Sequence, residues 1–391
     1  MVNKIMKVNN KILLGLAMLA TATFAFTACG DDDNPTPNNG GNNNVTEKEA
    51  FLQNTNKNLV NETILPIYTA LMNSNAELVE AIGEMETQAD VNEACDLWKK
   101  ARQYWEQSEA FLFGAASDYG IDPHTDTWPF DRAAFDNYIS RYPDLADNEA
   151  AQAIVGEAIA TGQSLTGFHA VEYLLFRNGQ PRQVADITPA EVWFCQTAAE
   201  DLYLNSIMLV SSWGGKVNDE EQEMLDDAEF ESSINYGENI INAGKAGSTY
   251  PTVTAGSVQI LEGCQNIVDE VAHSKIGHPY TGEDVNYIES PHAYNSIQDF
   301  IDNVLSCVYT LNGGMGKDKS YTATSLTAYA MAHHPKEAAA VKAAVENALS
   351  KVGAMKRPFV HNYQDKSAGE AIEALEAFDS ALGELKEALN D

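Results

Sequence analysis

The sequence predicts an all-α protein built as two helical bundles. Three observations carry this. Apolar residues recur at i, i+3 and i+4 over long segments. Helix-start signals stand at the head of those segments. Strand patterns are nearly absent: Thr249 to Val258 is the one weak exception, short and flanked by Gly and Pro. With 391 residues, of which 44% are apolar, the chain can bury two cores.

The elements follow in order. Thr46 with Glu49 forms a capping box, and Phe51, Leu52, Leu59, Val60, Ile64 and Leu65 follow at helical spacing until Pro66, which should kink or break that helix. Asp90 with Glu93 marks a second start. Ala94, Leu97, Trp98, Ala101, Tyr104, Trp105, Ser108, Phe111 and Leu112 then lie on one helical face. Thr188-Pro189-Ala190-Glu191 combines an N-cap, a first-turn proline and an acid, and should open a helix to about Val210. Asn218 with Glu221 opens another. Pro335 to Val352 and Ser367 to Leu389 complete the set. Trp213-Gly214-Gly215 is the best seam, dividing a bundle over 46–215 from one over 216–391; Gly244 to Gly256 is a second candidate.

Ahead of these lies a different kind of sequence. Lys4, Lys7 and Lys11 precede an apolar run from Ile12 to Phe26, which gives residues 1–28 the layout of a secretory signal. Phe26-Thr27-Ala28-Cys29 resembles a bacterial lipobox, so Cys29 is expected to be lipidated and to hold the chain to a membrane. Gly30-Asp31-Asp32-Asp33 resembles the acidic tag that sends such lipoproteins to the outer surface. The expected location is therefore the outer membrane, surface-exposed, with the periplasm as the alternative. Residues 29–45 read as the anchor and a flexible tether, because they hold almost nothing apolar to bury. Cys95, Cys195, Cys264 and Cys307 show no CxxC spacing and are expected as buried free thiols.

Asp and Glu number 57 against 24 Lys and Arg, a formal charge of −33. Such a surface repels phosphate backbones and excludes nucleic acid as an electrostatic partner. It favours cations. No Walker phosphate loop, GxSxG elbow or HExxH motif is present.

One run carries chemistry. His169 and Glu172 stand at i and i+3 within Gly167-Phe168-His169-Ala170-Val171-Glu172-Tyr173-Leu174-Leu175, so an imidazole and a carboxylate share one face of an apolar helix. Burying a lone carboxylate is costly, so Glu172 needs a partner. A cation bound jointly by both groups is one solution; a hydrogen-bonded His–Glu pair is the other. Asn295, Asp299 and Asn303 form a polar line at i, i+4 and i+8, either solvated or facing His169 across the seam. Glu109 shares a helical face with Arg102 and is expected partly buried beside it. Glu270-x-x-His273 and Glu289-x-x-His292 have the order found in di-iron bundles, but Gly277, Pro279 and Pro291 interrupt the helices such a site needs.

The run from Gly167 to Leu175 resembles the GxHxxE signature of the imelysin-like family, catalogued as a metallopeptidase class and related to bacterial iron-uptake lipoproteins. Ala101-Arg102, Tyr104, Glu109-Ala110-Phe111 and Phe113-Gly114 resemble that family's helix before its aspartate- and tryptophan-containing loop. Trp128-Pro129-Phe130-Asp131 resembles its W-P-x-D. Ser290, Asn295, Asp299, Asn303 and Pro358-Phe359 resemble features of its second half. Tyr294 departs from the pattern, which has a His before the Asn. The likeness spans most of residues 50–390. It implies a two-domain helical fold with the motif near the domain interface.

The expectation that follows is a metal-binding lipoprotein of the cell envelope acting in iron acquisition, with a metal importer as partner. His169, Glu172 and Glu109 are the expected ligands of a divalent or ferric ion, iron or zinc. Gly167, Arg102, Trp128, Asp131, Asn295 and Asp299 are expected around them. The alternatives are a zinc metallopeptidase, for which one His is few, and a peptide- or glycan-binding module without metal.

Overall fold

Helix α1 (Glu47–Asn58) opens on Thr46, whose hydroxyl accepts from the Glu49 amide while the Glu49 carboxylate accepts from Thr46 in return. The computed structural model describes residues 46–145, 147–160 and 166–391; the expected signal sequence, Cys29 and the tether lie outside the described residues. Pro66 does not break the chain's course. A π-helical turn over Leu59–Ile64 leads straight into α2 (Leu65–Gly83). Proline has no amide to give the carbonyl four residues back, and the Met315 amide donates to that Glu62 oxygen at 3.0 Å instead.

Helix α3 (Gln88–Glu106) is capped by Thr87 rather than by Asp90, which serves as its reciprocal acid in the first turn. The helix stops at Glu106, and a 3₁₀ turn (Glu109–Phe111) follows. Short helices α4 (Ala115–Asp118), α5 (Ile121–Thr125) and α6 (Arg132–Ile139) lead to α7 (Asn148–Ala160) and α8 (Gly167–Leu175). A two-stranded hairpin, β1 (Phe176–Arg177) with β2 (Gln180–Pro181), pairs Phe176 with Pro181. Next come α9 (Pro189–Ser212), α10 (Asp219–Asp227), α11 (Tyr236–Ile241) and α12 (Val253–Glu270). The weak strand signal at Thr249 to Val258 thus becomes the entry to α12, because Thr252 caps the helix through the Ala255 amide. A second π turn (Val271–Gly277) joins α12 to α13 (His278–Thr281). The chain ends with α14 (Ser296–Asn312), α15 (Leu326–His333), α16 (Pro335–Gly353), α17 (Phe359–Asn362) and α18 (Lys366–Asn390).

Helices α2, α3, α8 and α9 pack into one bundle, and α12, α14, α16 and α18 into the other. Helix α1 comes first in sequence but packs on α11, α12 and α15 of the second bundle. The two bundles share a continuous apolar core. They meet where α3 and the 3₁₀ turn lie against α12 and α14. The four described cysteines are free and buried.

The approach at that seam is close. Gly263 of α12 lies directly against the Ala110 backbone, and a methyl group there would collide with the Ala110 carbonyl oxygen. Gly263→Ala is expected to lower stability by about 1–3 kcal/mol, the usual cost of forcing extra volume into a packed interior. Chemical denaturation checks this; an unchanged midpoint would show that the bundles can part at no cost.

Candidate metal centre

The buried face of α3 is unusual for an amphipathic helix, because two of its inward residues are charged. Arg102 and Glu106 are fully buried alongside Trp98, Ala101 and Trp105. A charge in such a place needs a partner. The Arg102 guanidinium contacts the Glu106 carboxylate one turn on, Asp126 Oδ1 at 2.6 Å and Glu289 Oε1 at 2.5 Å. Lys275, 2% exposed, adds a second cation, with its ammonium 3.5 Å from Glu289 Oε2 and 3.6 Å from Glu106 Oε2.

Asp126 follows α5 in an irregular segment. Trp105 Nε1 donates to its Oδ2 at 3.0 Å. The segment is pressed against the start of α8, and Gly167 makes that approach feasible. Its φ is +85°, and a Cβ on it would lie 2.7 Å from the Thr125 carbonyl oxygen. The glycine of the motif therefore sets the distance between His169 and Asp126.

Helix α8 is buried throughout, and apolar side chains surround its His169 and Glu172. His169 and Glu172 do share a face, with Nδ1 3.4 Å from Glu172 Oε2. The other Glu172 oxygen accepts from the His292 and Ala293 amides at 2.7 Å each. Ser290 and Tyr294 flank that amide pair with positive φ values of 39° and 58°. Glu172 is thus held in place by the second half of the chain. The opposite edge of the ring faces acids: His169 Nε2 lies 2.9 Å from Glu289 Oε1 and 3.1 Å from Asp126 Oδ1. Neither contact has the alignment of a ring N–H hydrogen bond.

The electrostatics follow from burial and proximity. Burial opposes charge on Arg102, but Asp126, Glu106 and Glu289 outweigh it and hold its pKa well above the ordinary value. Burial likewise raises Asp126 and Glu289, yet the neighbouring cations win: Asp126 falls well below the carboxylate range under Arg102 and His169, and Glu289 falls to about 2 under Lys275 and Arg102. For Glu106 burial wins over the Arg102 contact and pushes its carboxyl up to about 8. On His169, burial favours the neutral ring, but Asp126, Glu172 and Glu289 raise its pKa well above normal.

Asp126, His169 and Glu289 offer three ligand atoms within 4.8 Å of one another. One imidazole nitrogen with two carboxylate oxygens suits a transition-metal ion of borderline or hard character. The second nitrogen of the ring on a carboxylate is the usual outer support of a metal-binding histidine. Buried atoms left without a hydrogen-bond partner cluster here: His169 Nε2, Glu289 Oε2 and Asp299 Oδ2. The residues fit a cation.

The expected site residues are placed as follows. Arg102 is the hub. Glu172 supports the ring from the side away from Asp126 and Glu289. Glu109, 7% exposed on the 3₁₀ turn, gathers with Glu106 and Asp126 instead of with His169. Asp299 is buried and accepts from Asn295 Nδ2 at 2.7 Å, and Asn303 donates to Glu106, so the polar line faces the seam rather than solvent. Trp128 stacks edge-on against Tyr287 at 4.4 Å, with the Lys275 ammonium 5.8 Å from its ring. Asp131 caps α6, its Oδ1 accepting from the Ala134 amide at 2.9 Å. Four central residues escape sequence reasoning: Glu106, Asp126, Lys275 and Glu289. Glu106 stands at i+4 from Arg102 and Asp126 two places before Trp128, which are weak signals; Glu289 is visible only as half of Glu289-x-x-His292; Lys275 has no signal.

A family model described as peptidase M75, imelysin, matches residues 64–389. The chain belongs to the imelysin family. This imelysin is 28% identical over 294 residues to iron-regulated protein A of Synechococcus elongatus, covering 74% of this chain and 68% of that one. Its fold is similar to a crystal structure described as an iron-regulated protein A precursor of Parabacteroides distasonis, with a TM-score of 0.75 and 23% identity over 89% of this chain and 97% of that one. An imelysin-like protein of Psychrobacter arcticum has a TM-score of 0.59 and 12% identity, over 86% of this chain and 94% of that one.

Arg102→Met would leave Glu106, Asp126 and Glu289 without their shared cation. The expected loss of stability is about 3–5 kcal/mol, typical of removing one partner of a buried pair. Arg102→Lys should recover little of it, because a point charge cannot serve three carboxylates as a planar fork does. Thermal and denaturant unfolding of both variants check this.

Proposed function

We propose that this imelysin is a lipoprotein of the outer membrane, surface-exposed, that binds a divalent or ferric ion between its two bundles and serves iron acquisition. The observation that carries the reading is the placement of His169: one ring nitrogen is supported by Glu172, and the other faces Asp126 and Glu289. His169, Asp126 and Glu289 are the proposed ligands, and Glu172 orients the ring. The bound ion is cargo, handed on to an importer that the tether at Cys29 keeps near. The iron-regulated relatives support iron as that cargo. The family's classification also suggests metallopeptidase chemistry, but the ligands favour binding over cleavage, since His169 is 2% and Glu289 0% exposed and a polypeptide needs an open coordination position.

Metal analysis of gently purified protein is expected to find bound metal that is absent from His169→Ala. Glu172→Gln should weaken the ion about 10–100-fold, the usual effect of losing an outer-sphere support. Equal metal in wild type and His169→Ala would remove the site. Location is tested separately. Cys29→Ser is expected to abolish incorporation of labelled fatty acid and to release the protein from membranes; unchanged labelling would refute the anchor.

A further inference from the structure

Two of the four described cysteines face each other. Cys264 of α12 and Cys307 of α14 are both fully buried, on helices that pack directly together. The Cys307 thiol donates to the Cys264 carbonyl oxygen at 3.6 Å, and the Cys264 thiol lies 4.0 Å from the Cys307 carbonyl oxygen. Contacts in both directions require both side chains to point across the same helix crossing, which is the orientation a disulfide needs. By contrast, the Cys95 thiol turns to the Leu175 carbonyl oxygen at 3.6 Å. Small neighbours allow the close crossing. Gly263 precedes Cys264 and Ser306 precedes Cys307, and both meet Ala110 of the 3₁₀ turn. Gly263 lies against its carbonyl oxygen, and Ser306 Oγ accepts from its amide at 3.2 Å. The pair therefore sits directly behind the contact at which the bundles meet.

We propose that Cys264 and Cys307 are a modification site: they close a disulfide that staples α12 to α14 as the chain folds. The inference goes beyond metal binding and takes from that reading only the export of the chain, which brings it into an oxidising compartment. The oxidant is a second disulfide, of a protein or a small molecule. A thiolate of one cysteine attacks it, breaking the oxidant's S–S bond and forming a mixed disulfide. The thiolate of the other cysteine then attacks the mixed bond and releases the oxidant's remaining sulfur. One S–S bond forms in the chain and one is lost from the oxidant, which takes up the two electrons and the two thiol protons. Timing follows from burial. Burial and the neighbouring Cys307 thiol raise the Cys264 thiol well above its ordinary range. The packed, reduced pair therefore holds little thiolate and excludes the oxidant. The exchange belongs to a stage before α12 and α14 are closed, and the finished bond is sealed from reductants. Cys264 and Cys307 stand 43 residues apart, so the bond closes a long loop of the unfolded chain and disfavours that state. It also fixes α14, whose Asn303 donates to Glu106, against the helix that meets Ala110.

The test uses neither metal nor membrane, so the proposed function can fail without it. The full chain, reduced and denatured, is refolded in a mixture of reduced and oxidised glutathione. Remaining thiols are then alkylated in denaturant, and the digest is mapped by mass spectrometry without reductant. Trypsin separates the two cysteines at Lys275. The expected product is their two peptides joined, lighter by the hydrogens lost, with Cys95 and Cys195 alkylated. Cys264 and Cys307 both alkylated, or either joined to another cysteine, overturns the proposal. The second readout is the thermal midpoint of wild type refolded with glutathione and with dithiothreitol, which needs no variant. The oxidised form is expected to melt about 5 °C higher, as a long closed loop implies. A bridge that leaves the midpoint unchanged or lowers it overturns the staple. Cys307→Ala cannot form the bridge and is expected to melt alike after either refolding. The same 5 °C gain in that variant would assign the effect elsewhere and overturn the pair.

Discussion

A guanidinium with none of its surface exposed has to find its counter-charges inside the protein, and Arg102 finds them on both halves of the chain. Glu106 comes from its own helix and Asp126 from the segment after α5, but Glu289 comes from the second bundle. An isolated first bundle would leave Arg102 under-neutralised, and an isolated second bundle would leave Glu289 and Lys275 so. The unpaired cost in either case is several kcal/mol per ion, comparable with the whole stability of a domain. Docking of the bundles and assembly of the ion network are therefore one event. Gly263 against Ala110 serves the same event sterically, by letting α12 approach the turn that carries Glu109.

The network is also out of balance. A core that needed only to be stable would match its charges or discard them, since well-packed apolar side chains usually do as well. Here carboxylates outnumber permanent cations, and several of them, Glu106, Asp122 and Asp299 among them, are pushed up to about 7 or 8 by burial. Burial thus favours the neutral form of those carboxyls, and a proton or a cation is what offsets its cost. A cation bound as proposed would gain from carboxylates already in place, and by mass action it would stabilise the docked form.

Much of this fold is legible in the sequence because its signals are local. The boxes at Thr46, Thr188 and Asn218 are each written within four residues, and each starts a helix where expected. The apolar stripe of α3 is equally plain, since burial of one face imposes its own period. Only its charged members are hard to place: Arg102 and Glu106 stand one turn apart, and both face inward. The site is less legible because two of its three clustered groups come from segments without periodicity. His169 lies in a regular helix and is conspicuous. Asp126 and Glu289 lie in irregular chain, where nothing nearby in sequence fixes a direction. Asp131 looks the better aspartate by its tryptophan-proline context, yet its oxygen is spent on a helix cap. Glu289-x-x-His292 is a true neighbour of the centre, but its histidine contributes a backbone amide to Glu172 rather than a ring to a metal.

Lys275 shows how a backbone irregularity can decide a site. Among the described residues there are two π turns, Leu59–Ile64 and Val271–Gly277, and each is followed two residues later by a proline, Pro66 and Pro279. The correspondence has a physical cause. A proline in a continuing helix cannot donate to the carbonyl four residues back, and its ring crowds that oxygen; one extra residue in the preceding turn moves the carbonyl aside. For Pro279 that carbonyl belongs to Lys275. Widening the turn also changes which side chains face inward: Lys275 is 2% exposed, while His273, two residues earlier, stands 54% in solvent and pairs with Asp269. The helical period that serves α12 does not continue through this turn, so a residue that reads as an ordinary surface lysine is delivered to the centre of the carboxylate cluster.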